Sequence, residues 1–208
     1  MSLANNEREQ FEELLRLNLQ GCSLTVEQAG RLYAHFQLLT RWNRVVNLSS
    51  IHDMATAVVR HYCESLFLAA HLPRAAASVV DVGSGGGFPG IPLAITRPDC
   101  KVTLVESHQR KAVFLKEATR GCANVRVIAA RAEQVEERFD WLVSRAVAWA
   151  DLLPLVPHLA SRVVLLVGAG DAARFLKEKL LEWNEPVPLP WGQQRSLVIG
   201  RSVSRGTC

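Results

Sequence analysis

The sequence has no C-x-x-C pair and no cysteine–histidine cluster with zinc-ligand spacing. Its five cysteines (Cys22, Cys63, Cys100, Cys122 and Cys208) are odd in number and scattered, which argues against a disulfide framework. Free thiols in a reducing cytoplasm are expected. No metal is expected. Long hydrophobic runs are also missing, and none approaches the roughly 18 residues a membrane span needs. The N-terminal stretch MSLANNEREQFEELL is acidic and amphipathic, so it lacks the basic start and apolar centre of an export signal. Internal repeats, low-complexity tracts and Pro/Gly/Ser-rich linkers are absent. With 49% hydrophobic and 21% charged residues, the 208-residue chain has the make-up of a globular protein. Its net charge of +4 permits a nucleic-acid partner without requiring one.

What is there changes rhythm near residue 78. Before it the pattern is helical. Phe11, Leu14, Leu15 and Leu19 recur at helix spacing, and Thr25 with Gln28 forms a capping box ahead of the stripe Ala29, Leu32, Tyr33, Phe36 and Leu39. Val58, Val59, Tyr62, Leu66 and Phe67 suggest a third helix. After it, short strands alternate with helices: strands at 78–82, 101–106, 125–129, 139–144, 162–167, 185–189 and 196–200, and helices near 89–96, 108–120, 149–160 and 171–183. This alternation predicts an α/β fold with a Rossmann-like, seven-stranded, mostly parallel sheet covered on both faces. The last strand is expected to run antiparallel at the end of the sheet. Residues 1–77 are expected as a helical extension packed on a main domain of residues 78–208.

One stretch asks for a ligand. Val79 to Asp99 reads VVDVGSGGGFPGIPLAITRPD, with five glycines between Gly83 and Gly90. In doubly wound sheets ligands bind at the carboxyl ends of the strands, and a loop without Cβ atoms admits close approach. Gly85, Gly87 and Gly90 match the G-x-G-x-x-G of a dinucleotide site. That match starts two residues late, however, and Pro89 has no N–H to give a pyrophosphate. The string Asp81, Gly83, Gly85, Gly87 instead matches D-x-G-x-G-x-G. An acid at the end of the first strand suits a cationic ligand such as S-adenosylmethionine, and Glu106 at the end of the second can accept ribose hydroxyls. A loop whose glycines serve only tight turning is the plain structural alternative.

The same residues, with RWNRVVNLSSI and VRHYCESL upstream and LVSRAV downstream, resemble the bacterial small-subunit ribosomal RNA methyltransferase G family, formerly glucose-inhibited division protein B. The likeness runs from about Leu14 to Gly200. It implies a class I methyltransferase fold with an N-terminal helical extension. It also implies methyl transfer from S-adenosylmethionine to N7 of one guanine in 16S rRNA near the decoding region. The cofactor contacts it implies are Gly83, Phe88, Ala132, Glu133 and Arg145, beside Glu106; Asp81, Ser84, Gly85, Gly87 and Ser107 complete the expected cofactor site. Three positions depart from the family pattern. Val167 replaces a lysine, Glu64 replaces an aspartate, and a histidine after Arg195 is missing.

Guanine N7 already carries an in-plane lone pair, so the chemistry needs positioning rather than a base or a nucleophile. The sequence fits this, having neither a Pro-Cys nucleophile nor an [Asp/Asn]-Pro-Pro-aromatic string. Arg145 and Arg195 are the positioning candidates; for Arg145 a structural ion pair is the alternative and the resemblance favours contact with cofactor or guanine, while Arg195 could reach guanine O6 or a phosphate. RNA-binding candidates are Arg44, Arg60, His61, Arg195 and Arg201, on a basic face that Arg41 and Arg205 would extend. Asn43, Asn47 and Trp42 read as well as a cap, a turn or core residues. The partner expected is 16S rRNA within the small subunit or an assembly intermediate, met by a monomer with no membrane association. An RNA-binding factor without activity and an NAD-linked oxidoreductase remain the alternatives.

Overall fold

The computed structural model describes residues 3–19, 23–192 and 194–202. Cys22, Arg205 and Cys208 lie outside them. Helix α1 (Leu3–Asn18) buries Phe11 and Leu15. Helix α2 (Val26–Trp42) starts on the expected capping box: Thr25 Oγ1 accepts from Gln28 N at 3.1 Å and Gln28 Oε1 accepts from Thr25 N at 2.9 Å. Asn43, rather than Asn47, organises the loop that follows. Its Oδ1 accepts from Leu48 N and Ser49 N, and its Nδ2 donates to Ser49 O. A long helical rod then runs as α3 (Met54–Ala57), a π-wound turn (Val58–Cys63) and α4 (Glu64–His71).

The sheet comprises β1 (Ser78–Val82), β2 (Lys101–Val105), β3 (Val125–Ile128), β4 (Trp141–Arg145), β5 (Arg162–Gly168), β6 (Leu181–Trp183), β7 (Val187–Pro188) and β8 (Arg195–Ser202). Its order is β3-β2-β1-β4-β5-β8-β6, with β7 also pairing β8. Strands β1 to β5 are parallel, and the order turns back between β1 and β4. Helices α5 (Gly90–Thr96), α6 (Gln109–Ala118), α7 (Trp149–Leu152), α8 (Val156–Leu159) and α9 (Ala169–Phe175) cover its faces.

The C-terminal third corrects the sequence expectation. The sheet has eight strands, not seven. The helix expected at 171–183 stops at Phe175, and Leu181–Trp183 becomes β6. Trp183 is placed by β8: a Cβ on Gly200 would stand 2.7 Å from its ring, so only glycine leaves room for it there. The reversed strand β8 therefore lies inside the sheet, between β5 and β6. The strand expected at 185–189 shrinks to Val187–Pro188, because Pro186, Pro188 and Pro190 have no N–H to donate. The helix expected at 149–160 breaks into α7 and α8 around Pro154.

Alternating strand residues feed two cores. Val79, Leu104 and Val164 pack beneath the helical extension with Phe11, Tyr62 and Phe88. Val80, Leu142 and Leu165 pack beneath α7–α9 with Phe175. Because the first core joins the extension to the sheet, the chain should unfold as one unit. Phe11→Ala should cost about 3–5 kcal/mol. Urea melts followed by far-UV circular dichroism and by tryptophan fluorescence should coincide and shift together; two separate transitions would show an independent extension.

Candidate active site

The crevice lies where β1 and β4 part, at the carboxyl ends of the strands. Its floor is the loop Gly83–Pro89. Gly83, Gly85 and Gly87 have φ of +71°, +54° and +86°. At Gly87 a Cβ would also clash with Ile91, so two constraints fix glycine there. At Gly85 a Cβ would meet nothing nearer than Gly83 O at 3.8 Å, which leaves open space for a ligand.

The loop consumes all its own donors but Gly86 N, which has no partner among the described residues. Gly83 N and Ser84 N donate to Val105 O, Gly87 N and Phe88 N to Ser84 O, and Ile91 N to Gly87 O. Gly85 N donates to Glu106 Oε2 at 2.9 Å, and Gly90 N to Asp81 Oδ2 at 2.9 Å. Pro89 has no N–H. The start of α5 thus presents no row of free amides, whereas a pyrophosphate site is built from one.

Two carboxylates hold this arrangement. Asp81 is fully buried (0% exposed) and caps α5 from behind the loop, and its Oδ1 is buried without a partner among the described residues. Burial pushes its carboxyl up to about 7, against the pull of the Gly90 N–H. Glu106 accepts from Gly85 N with one oxygen and from His108 N with the other, at 2.8 Å. It thereby ties the ends of β1 and β2 together, and each oxygen keeps a lone pair that the amides do not use. Ser84 is buried and gives its hydroxyl to Asp81 O. Ser107 and Glu133 are exposed beyond β2 and β3, and Ala132 opens a short 3-10 turn there.

Phe88 points away from the loop into the extension. Its ring stacks on His61 at 4.6 Å and meets His35 and Tyr62 edge-on at 5.2 Å each. The Arg145 guanidinium lies 5.1 Å over the same ring, and its Nη1 donates to Arg60 O at 2.6 Å. Burial draws Arg145 down to about 10. Ala146, next along, has φ +62°, a left-handed conformation costly for a residue with a Cβ. It turns the chain so that Val147 packs against Gly83.

The described residues from 28 to 164 match the profile of the family described as rRNA small subunit methyltransferase G. The chain belongs to this family. It is 44% identical over 146 residues to the ribosomal RNA small subunit methyltransferase G of Xanthomonas campestris pv. campestris strain B100, covering 68% of each chain. The protein of that name from Neisseria meningitidis serogroup A is 38% identical over 154 residues, covering 71% of this chain and 74% of the relative. Among solved structures, the magnesium protoporphyrin IX methyltransferase of Synechocystis PCC 6803 with bound SAM superposes with a TM-score of 0.59 at 15% identity. The match covers 88% of this chain and all of that one, and it shows the shared fold.

The other family-implied and basic candidates separate. Arg60 and Arg195 converge on the buried Glu64, with N···O distances of 3.4 and 3.1 Å. Arg201 does not join them. It pairs with Arg162 at the amino end of β5, while Arg195 pairs with Gly168 at the carboxyl end, about 20 Å away along the strand. Arg201 is instead bound to Glu182. Arg41 is tied to Glu117 of α6, as is Trp42 through its Nε1. Arg44 is exposed at the end of α2. Val167 and Arg195 line a cavity of about 610 Å³ with Val147, Trp149 and Phe175, at the ends of β4 and β5. Trp149 was not legible in the sequence, since it sits in no motif, and the string VRHYCESL gave Glu64 no hub role, since its partner Arg195 is far along the chain. No group of three or more His, Cys, Asp or Glu among the described residues could hold a metal ion.

The two histidines behind Phe88 make the site acid-sensitive. Burial lowers His35 from 6.5 to about 4 and His61 to about 3, the latter helped by the Arg145 charge. Between these values the unfolded chain binds protons that the folded chain refuses, so stability falls as pH drops below 6.5. Asp81 acts oppositely: the folded chain keeps a proton that the unfolded chain releases near 3.8, so its cost grows as pH rises from there to about 7. In urea melts between pH 6 and 4.5, His35→Gln should flatten the acid limb by up to about 1.4 kcal/mol per pH unit. An unchanged slope would mean that His35 is protonated in the folded state.

Proposed function

We propose that this chain transfers a methyl group from S-adenosylmethionine to N7 of a guanine in 16S rRNA, as a cytoplasmic monomer acting on the small ribosomal subunit or an assembly intermediate. The observation that carries this reading is the self-satisfied loop. Its amides, Gly86 N excepted, are spent on Val105, Ser84, Gly87, Asp81 and Glu106, and two carboxyl groups brace it. Such a cradle suits a ligand bearing an ammonium and a sulfonium and opposes a pyrophosphate, which speaks against the NAD-linked alternative.

Glu106 would receive the ribose hydroxyls on its free lone pairs, between Gly85 and Ser107. Asp81, buried behind the loop rather than facing the crevice as expected, would act on the amino-acid portion only through the loop it braces. Gly83, Ala132 and Glu133 would border the adenosine. Bound S-adenosylmethionine supplies an electrophilic methyl carbon, whose bonding pair stays on sulfur as the N7 lone pair takes the carbon. The protein's share is alignment and exclusion of water. The cavity beside Val147, Trp149 and Arg195 would receive the guanine. Arg195 there would bind O6 or a phosphate and leave N7 free. Val167 removes the family lysine from that wall, yet Arg195 still lines the cavity beside it.

Labelled S-adenosylmethionine incubated with small subunits from cells lacking this protein should yield labelled 7-methylguanosine in 16S rRNA. Cofactor binding without label would leave an RNA-binding factor in its place. Glu106→Gln turns an amide NH₂ toward one of two backbone N–H groups, so the dissociation constant for S-adenosylmethionine in calorimetry should rise about tenfold or more.

A further inference from the structure

One buried carboxylate stands among three guanidinium groups from three different elements. Glu64, at the start of α4, is 1% exposed. Arg60 reaches its Oε1 from one turn earlier, and Arg195 reaches its Oε2 from β8. Arg145, from β4, donates to the carbonyl of Arg60. The cluster therefore carries a surplus of positive charge in a partly buried place, which is costly unless an anion completes it.

The contacts leave donors over. Each guanidinium has five N–H groups, and Glu64 takes one contact from Arg60 and one from Arg195. Arg195 Nε and Glu64 Oε2 are buried without a hydrogen-bond partner among the described residues, so Arg195 meets Glu64 as an ion pair and only its outer N–H groups are left for a ligand. The side chains of Arg60 and Arg195 stay 39% and 25% exposed, so their outer edges reach solvent. A Cβ on Gly192 would stand 3.2 Å from Arg60 Nη1, so the turn before β8 closes over this arginine. Arg195 also lines the cavity at the ends of β4 and β5.

We infer that Glu64 is a positioning residue whose carboxylate holds Arg60 and Arg195 as a preset two-guanidinium site for one backbone phosphate of the RNA, next to the cavity. Planar guanidinium forks suit a phosphate's paired oxygens, and fixing two of them beforehand avoids ordering long side chains at binding. Without the carboxylate the two cations repel and turn outward. The site presupposes the rRNA substrate proposed above.

The test compares wild type, Glu64→Gln and Glu64→Asp. It reads KM and kcat on small subunits, the calorimetric dissociation constant for S-adenosylmethionine, and the salt dependence of binding to a 16S rRNA fragment containing the target guanine. For Glu64→Gln, KM should rise about tenfold while kcat and cofactor affinity change by less than about threefold. Its log–log salt slope should shrink by about 0.7, one phosphate contact on single-stranded RNA. Glu64→Asp keeps the charge and should stay within about threefold of wild type. An unchanged salt slope in Glu64→Gln would overturn the site, as would equal damage from both variants. If Glu64→Gln does not fold, Arg195→Gln and Arg60→Gln carry the test, and unchanged slopes in both would overturn the site. Wild-type protein that binds the fragment without methylating subunits, while Glu64→Gln loses slope, would sink the activity and leave the phosphate site standing.

Discussion

The hydrogen bond from Gly90 N to Asp81 Oδ2 is the constraint on which the crevice depends. It joins the carboxyl end of β1 to the first turn of α5 across the glycine loop, inside the core. A buried carboxyl without such a bond would be costly to ionise, and a helix start without it would leave an amide unpaired. The bond needs glycine at position 90, where a Cβ would stand 2.6 Å from the carboxyl oxygen. With this brace set, the loop spends its amides internally and Glu106 ties it to β2. The resulting surface is shaped for close approach yet poor in free N–H groups. The choice between a phosphate-bearing and a sulfonium-bearing ligand is therefore made by backbone bookkeeping, not by a single recognition residue.

Phe88 connects that cradle to the helical extension. Its ring lies among His61, His35, Tyr62 and Arg145, so loop, extension and β4 share one aromatic cluster. The geometry gives Phe88 a mechanical role toward the cofactor: it anchors the loop from behind. A purine alkylated at N7 gains positive charge, which the arginines at the sheet edge would oppose. The Glu64 carboxylate contacts two of these arginines, Arg60 and Arg195, and offsets part of their charge. Binding and chemistry thus make opposite electrostatic demands on one edge.

Much of this was legible in the sequence. Strand β1 and the Thr25 capping box were readable to the residue, because alternation and capping are local signals. The loop and the strand-end places of Asp81 and Glu106 were readable, because glycine density and short β-rich runs are local signals. The failures are long-range. Leu181–Trp183 looks like helix until β8 arrives to pair with it. Arg195 and Arg201 look equivalent until the register of β8 on β5 puts them at opposite ends of the sheet. Likewise Glu64 is an ordinary helix residue until two arginines meet it, one from 131 positions further along the chain.

The most direct test of the central claim is a calorimetric titration of the unmodified protein with S-adenosylmethionine and, separately, with NAD. Saturable binding of S-adenosylmethionine in the micromolar range, with no heat from NAD at the same concentrations, is the result that a loop with a single spare amide, at Gly86, predicts. Binding of NAD as tight as that of S-adenosylmethionine would contradict it, because a pyrophosphate would then have found donors that the structure assigns elsewhere.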